Sequence, residues 1–375
     1  MGMAQNGQSI WLEINLGAIR RNIQRIQTHT GRPVMAVVKA NAYGHGIIEV
    51  SRAAEKAGAI YLCVARIEEA QKIRQAGIFA PILVMGYTKP GKVVDAADTN
   101  ISLTVADWKT ARAYARAAAG LANPLNVHAK IDTGMSRLGV LSEEGAGFCH
   151  WLAQQPGLFL QGVFTHFACA DELTNPITNV QIERFNEVLA QLKALGVNPG
   201  LVHASNSAAS IYYPDGWYDA VRPGIAIYGM NPAPQAPLPE GYERALTWKC
   251  LLASVKLLPA GSGVSYGHTY FTLREERIGV TAIGYADGFR RVKNNVALLR
   301  GKRIRQAGNV CMDQTMWHLD EFPEVEVGEE VVLIGEQDGE LLSADEIAAS
   351  WGTINYEVVC GLTDRVHRIF IDEED

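Results

Sequence analysis

Through residues 33 to about 222, short apolar runs alternate with longer stretches whose apolar residues recur every three or four positions. The first run is Val34-Met35-Ala36-Val37-Val38, which leads into Lys39. Others fall at 60–64, 81–85, 101–104, 125–131, 160–165, 200–204 and, most weakly, 218–222. Each is too short for a helix and rich in aliphatic residues, the pattern of strands buried on both faces of a parallel sheet. The intervening stretches 47–57, 67–75, 107–118, 143–154 and 181–195 carry the helical period. Upstream, Trp11-Leu12-Glu13-Ile14 alternates like a strand, and Asn15 is placed to cap a helix presenting Ile19, Ile23 and Ile26 on one face. Eight strands alternating with helices predict an α/β fold of the (β/α)8, TIM-type barrel class. A doubly wound sheet is the alternative. No G-x-G-x-x-G follows an early strand, however, and Gly261-Ser262-Gly263 misses that spacing.

The texture then changes. Residues 231–239 hold four prolines in nine positions and read as an extended linker. Beyond it, apolar runs at 251–257, 277–283, 296–299, 315–319 and 330–334 are closely spaced by turn residues. One helix is expected over 343–351, with Ser343 as its cap and Glu346 as the capping-box partner. The boundaries are therefore a barrel over 1–240 and a mainly β domain over 241–375, with a strand at 9–15 able to pack against the second.

Composition narrows the function classes. A net charge of -6 offers no basic footprint for nucleic acid and no cationic face for a membrane surface. No apolar run approaches the ~20 residues needed to cross a bilayer. The opening Met1-Gly2-Met3-Ala4-Gln5-Asn6 has neither the charged nor the apolar region of a secretory leader, and Asn6 breaks the myristoylation pattern. Six scattered cysteines with no C-x-x-C point to reduced thiols in a cytoplasmic protein, with neither a disulfide framework nor a metal site.

The candidate chemistry gathers where barrel enzymes keep theirs, after the carboxyl ends of the strands. There the sequence places Lys39 and Tyr43, Lys130 with Asp132 and Arg137, His166, His203 with Asn206 and Ser207, and Arg222. Each alone fits an ordinary role. Lys39 is also readable as a snorkelling lysine, His166 as a buried rim histidine and Ser207 as a helix cap. Together they suit an anionic, carbonyl-bearing ligand. A lysine partly desolvated at a strand end is a credible Schiff-base former. Arg222-Pro223-Gly224-Ile225 follows the eighth strand, where barrels bind phosphate on backbone amides, and Gly224 allows close approach. Lysine, phosphate site and the lack of a metal cluster point to pyridoxal 5'-phosphate.

At this point the chain resembles the bacterial alanine racemases, over nearly its whole length. The resemblance rests on Ala36-Val37-Val38-Lys39-Ala40-Asn41-Ala42-Tyr43-Gly44-His45-Gly46, on Lys130-Ile131-Asp132-Thr133-Gly134-Met135-Ser136-Arg137-Leu138-Gly139 and on His203-Ala204-Ser205-Asn206-Ser207. It continues through Val221-Arg222-Pro223-Gly224-Ile225, Val264-Ser265-Tyr266-Gly267, Gly284-Tyr285-Ala286-Asp287-Gly288, Cys311-Met312-Asp313-Gln314 and Asn355-Tyr356-Glu357. The resemblance implies a homodimeric, pyridoxal-phosphate-dependent isomerase that makes D-alanine for peptidoglycan. It implies that Lys39 carries the cofactor, that Tyr43, Ser207, Gly224, Ile225 and Tyr356 hold its phosphate, and that Arg222 faces its pyridine nitrogen. On the same resemblance His203 and Tyr285 are expected nearby, Asn206 among the cofactor-binding residues and His166 beside the ring. Lys130 is expected as a carbamate that orients Arg137. Tyr266, Met312 and Asp313 are expected from the partner subunit, so that Lys39 and the partner subunit's Tyr266 would serve as the two acid–base groups. Asn309, where arginine is frequent, and Ser136, where glycine is frequent, depart from the family pattern. A serine-preferring or broad racemase shares these motifs. A non-catalytic pyridoxal-phosphate homeostasis protein shares the barrel but lacks a β domain.

Overall fold

A computed structural model describes residues 7–236 and 238–372, and the chain divides into two units. The opening residues read against a leader, and Pro237 of the proline-rich stretch, lie outside the described residues.

One unit comprises Ala18–Ala42 and Ile47–Glu243. Its parallel strands Met35–Val37, Tyr61–Val64, Ile82–Val84, Ile101–Val105, Leu125–Asp132, Leu158–Phe164 and Leu201–His203 pair in chain order. The eighth position is only two residues long. Ala220 bridges His203, and Val221 bridges Val34, both in parallel, which closes the ring into a (β/α)8 barrel. The Met35 amide donates to the Val221 carbonyl at 2.8 Å and the Val221 amide to the Pro33 carbonyl at 3.1 Å. Neighbouring residues keep this strand short: Tyr218 is left-handed (φ 43°), and Pro223 has no amide to extend the ladder. The strands are buried on both faces as their aliphatic runs require, except at the start of Leu158–Phe164, where Phe159 is exposed. Helix Leu16–Thr30 lays Ile19, Ile23 and Ile26 fully into the core, each worth about 1.5–3 kcal/mol of apolar burial.

Two readings of this unit need correction. The strand before Lys39 ends at Val37, and Lys39 instead opens a turn in which Ala40, Asn41, Ala42 and Tyr43 all have φ of 54°. The proline-rich stretch is no extended linker. Asn231 Oδ1 accepts from the Ala233 amide (3.0 Å) and its Nδ2 donates to the Ala236 carbonyl (2.9 Å), folding the segment into a turn with Pro232 and Ala233 buried.

The other unit takes the chain up to Gly17, Tyr43–Gly46 and Arg244 onward. Leu246–Leu258 is its central strand, antiparallel to Ile10–Asn15, Glu330–Gln337 and Glu276–Thr281. An irregularity between Leu252 and Ser254 marks where its pairing with Glu276–Thr281 shifts register. Ile10–Asn15 also pairs in parallel with His367–Ile371. Arg300 (φ 51°) and Gly301 (φ 68°) turn Val296–Leu299 back into Lys302–Arg305, the positive φ pair expected of a two-residue hairpin. Helix Ala344–Trp351 is capped by Ser343, whose Oγ accepts from the Glu346 amide at 3.1 Å. The expected reciprocal half of a capping box is absent, because the Glu346 carboxylate pairs with Arg303.

Candidate active site

Lys39, Lys130, Arg137, His166 and Arg222 line a single cavity in the barrel unit, beside Phe164 and Met85. Four of these side chains are basic, and no carboxylate is among the described residues that line the cavity. Lys130 lies near the end of Leu125–Asp132, His166 just past Leu158–Phe164, and Arg222 next to the two-residue seam.

Arg222 is buried and held from several sides. Its Nη2 donates to the carbonyls of Thr165 and Ala204, both at 2.8 Å, and its Nη1 contacts His203 Nδ1 at 2.7 Å. A guanidinium only donates, so His203 Nδ1 is an acceptor and its proton sits on Nε2. That nitrogen faces His128 Nδ1 at 2.9 Å, which places the His128 proton on Nε2 in turn. Burial, then the charge of Arg222, holds His203 well below the ordinary imidazole range, so the chain of neutral rings is self-consistent. Burial brings His128 to about 3 and Arg222 to about 10, still a cation at neutral pH. Phe164 packs at the centre, stacked on His203 at 4.8 Å with Arg222 5.2 Å and Lys130 5.3 Å from its ring centroid.

Lys130 donates to the Ile131 carbonyl at 3.1 Å and is pushed down to about 7 by burial and then by Arg222, with Arg137 adding and Asp132 opposing. His166 is likewise held well below its usual value by burial and the cations Arg222, Lys130, Arg137 and Lys39. Asp132 Oδ1 accepts from the amides of Gly134 (2.9 Å) and Ser136 (3.0 Å), shaping the loop that carries Arg137. Ser136 is left-handed there (φ 56°), so the departure from glycine falls where glycine is the unstrained choice. Gly139 (φ 122°) closes the loop with its α-carbon against the Ile131–Asp132 backbone, where an added Cβ lies 2.7 Å from the Asp132 nitrogen.

After the strand Leu201–His203, the cap of helix Ser207–Tyr212 is Asn206, whose Oδ1 accepts from the Ala209 amide at 3.0 Å; Ser207, read above as a possible cap, is the first helical residue. Ser207 Oγ accepts from the amides of Gly224 (2.8 Å) and Ala226 (3.2 Å), and Ile225 is fully buried.

Six expected residues, Tyr43 among them, belong to the β unit. Tyr266, Tyr285, Met312 and Asp313 line one hollow with Ser265, His268 and Gln314. Tyr266 is 73% exposed, on a turn where Ser265 (φ 64°), Gly267 (φ 75°) and His268 (φ 42°) are all left-handed. Ser265 Oγ donates to the Asn309 carbonyl (2.6 Å) and Asn309 Nδ2 to the Tyr266 carbonyl (2.8 Å), so Asn309 braces this turn. Asp313 is held by Arg365 at 2.7 Å. Tyr356 stands 6.1 Å from Tyr43, ring centroid to ring centroid.

Sequence reasoning missed several residues. His128 and Phe164 lie inside strands and look like core positions. Gln181 is fully buried, accepts from the Ala168 amide (2.8 Å) and donates to Thr133 Oγ1 (3.2 Å) and the His166 carbonyl (3.0 Å). A glutamine on the buried face of an amphipathic helix was the signal available for it.

Comparison with known proteins identifies the family. The family described as alanine racemase, N-terminal domain, matches residues 14–232, and that described as alanine racemase, C-terminal domain, matches residues 245–370. The chain is 44% identical to an alanine racemase of Symbiobacterium thermophilum, over 96% of each chain. It is 45% identical to one of Anoxybacillus flavithermus, over 96% of this chain and 94% of the relative. Among solved structures, the alanine racemase of Bacillus anthracis with bound L-Ala-P superposes with a TM-score of 0.92 at 41% identity, covering 97% of this chain and 95% of that one. That of D-cycloserine-producing Streptomyces lavendulae gives 0.94 at 35% identity and covers 99% of both chains. No helix of the described residues is long and apolar enough to cross a membrane. The chain belongs to the alanine racemase family.

Proposed function

We propose that this chain interconverts L- and D-alanine with pyridoxal 5'-phosphate as cofactor, as a cytoplasmic homodimer that supplies D-alanine for peptidoglycan. The supporting observation is the barrel cavity lined by Lys39, Lys130, Arg137 and Arg222, with no carboxylate among the described residues that line it. That donor set fits a ligand bearing a phosphate and a phenolate together with the carboxylate of an amino acid. In this reading residues 1–240 form the cofactor-binding barrel, and Tyr266, Met312 and Asp313 of residues 241–375 complete the site of the partner subunit.

Lys39 is the point of covalent attachment. Tyr43, Ser207, Gly224, Ile225 and Tyr356 serve the phosphate, Asn206 is a further cofactor-binding residue, His166 and His203 serve the ring, and Arg137, Met312 and Asp313 the substrate. When bound, pyridoxal phosphate supplies the electron-withdrawing ring that acidifies Cα. Racemisation takes a proton from one face and returns one to the other, so two groups must flank Cα. Lys39 serves the face used by the D-isomer, and the partner subunit's Tyr266 the face used by the L-isomer. Arg222 offers a donor that holds its own proton at neutral pH, and the neutral His203 behind it presents an acceptor to Arg222. Arg222 would keep a ring nitrogen placed against it unprotonated, which would disfavour protonation anywhere but Cα. Lys130, lowered to about 7, has a neutral amine to give to carbon dioxide. A carbamate forms from that neutral amine and carbon dioxide with loss of one proton, and its negative charge would be a counter-ion for Arg137 and Arg222.

The test is turnover of a panel of L- and D-amino acids by purified enzyme, with and without added cofactor. Alanine should racemise fastest, and only with the cofactor. Serine exceeding alanine, or no racemisation at all, refutes the assignment.

A further inference from the structure

Lys39 is followed by four consecutive residues, Ala40 to Tyr43, in left-handed backbone, none of them glycine. Non-glycine residues pay for this conformation at every position, so such a turn persists only where its surroundings hold it. Three of the hydrogen bonds that act on it come from outside its own tip. The Ala42 amide donates to the Val38 carbonyl (2.9 Å), and Asn41 Oδ1 accepts from the Ile47 amide (2.9 Å). The third comes from a different βα loop: Glu69 Oε1 accepts from the Ala40 amide at 2.6 Å, a short charge-assisted bond.

Glu69 is the third residue of helix Ile67–Gln75, an ordinary place for a glutamate that caps its own helix. Its Oε2 does that, accepting from the amides of Ala65 (2.8 Å) and Arg66 (3.0 Å). Capping leaves Oε1 unaccounted for. The two oxygens are divided, one holding the start of a helix and the other crossing to the first amide after Lys39. We infer that Glu69 is a positioning residue for Lys39, its Oε1 fixing the left-handed turn that aims the lysine amine into the cavity. This rests on the assignment of Lys39 as the attachment and acid–base lysine.

The division of the two oxygens makes the inference separable from folding. Glu69→Gln keeps one oxygen for the cap amides, glutamine being a normal capping-box residue, but sets an amide NH2 against the Ala40 N–H. Glu69→Ala loses both contacts. In holoenzyme, Glu69→Gln should lower kcat at least tenfold, with KM within threefold of wild type. Both directions should fall together, because the equilibrium constant of a racemisation is fixed at one. In the cofactor-free protein, hydrogen exchange of the peptide spanning 39–46 should quicken in Glu69→Gln, while the peptide spanning 65–75 stays protected and quickens only in Glu69→Ala. A Glu69→Gln enzyme within twofold of wild type, or unchanged exchange at 39–46, overturns the inference. Borohydride labelling of wild-type holoenzyme at a lysine other than Lys39 overturns the parent assignment instead, and the exchange readout then still decides whether Glu69 holds the turn.

Discussion

Replacing Lys130 by methionine keeps the length of the side chain and removes its titration. In the folded protein the amine is brought from 10.5 to about 7, chiefly by burial. Below pH 7 the lysine is protonated in both states, and the folded state bears the whole penalty, roughly 5 kcal/mol. Between 7 and 10.5 only the unfolded chain is protonated, so it binds more protons and stability rises with pH. At pH 9 the penalty has shrunk to roughly 2 kcal/mol. The bond to the Ile131 carbonyl, worth about 1 kcal/mol, is lost to methionine at every pH and does not affect the trend. Urea unfolding of cofactor-free protein, at fixed protein concentration and in buffer purged of carbon dioxide, measures the difference. Lys130→Met should be the more stable protein at pH 6, and its advantage should narrow by roughly 3 kcal/mol by pH 9. An advantage that does not change with pH means that the folded protein keeps the lysine charged, and the argument for a neutral amine fails.

Borohydride reduction of the yellow holoenzyme, followed by peptide mapping, should place the cofactor on Lys39. Arg222→Glu puts a carboxylate where a donor-only cation stood, so racemisation should slow while a transamination product appears; an unchanged ratio of the two products refutes the argument. Lys39→Ala and Tyr266→Phe homodimers should each be nearly inactive. If the sites are shared between subunits, exchange between the two mutants should restore about a quarter of wild-type activity, since half the dimers are mixed and each has one intact site of two. Verified exchange without recovery rules the shared site out. Ser136→Gly relieves a left-handed serine (φ 56°) and should stabilise the protein by up to about 1 kcal/mol, read as a higher urea midpoint.

The barrel was legible because buried parallel strands write themselves as unbroken aliphatic runs, and all eight runs lie on the ring. The weakest, at 218–222, is weak because its pairing is confined to Ala220 and Val221. Local signals failed where a distant side chain intervened. Nothing near Ser343 announces that the Glu346 carboxylate is drawn away by Arg303, on a strand some forty residues earlier. Asn231 turns a proline-rich stretch that composition alone reads as extended. At the cavity, the cationic residues were visible because polar groups after apolar strands stand out. The groups behind them were not. His128 sits inside a strand, Glu69 poses as a helix cap, and their second contacts are made across 75 and 29 residues of chain.

The placement of Ile10–Asn15 has a consequence for dividing this chain. That strand lies between Leu246–Leu258 and His367–Ile371, so the sheet of the β unit is threaded by a segment made more than 200 residues before its neighbours. During synthesis it must wait as an unpaired edge while the whole barrel emerges. A fragment starting at residue 241 leaves out that strand and strips His367–Ile371 of its partner. Its raw edges should drive it to self-associate. Supplying residues 10–15 again, fused ahead of Arg244 through a flexible tether, offers the missing rung and is the more promising way to obtain the β unit alone.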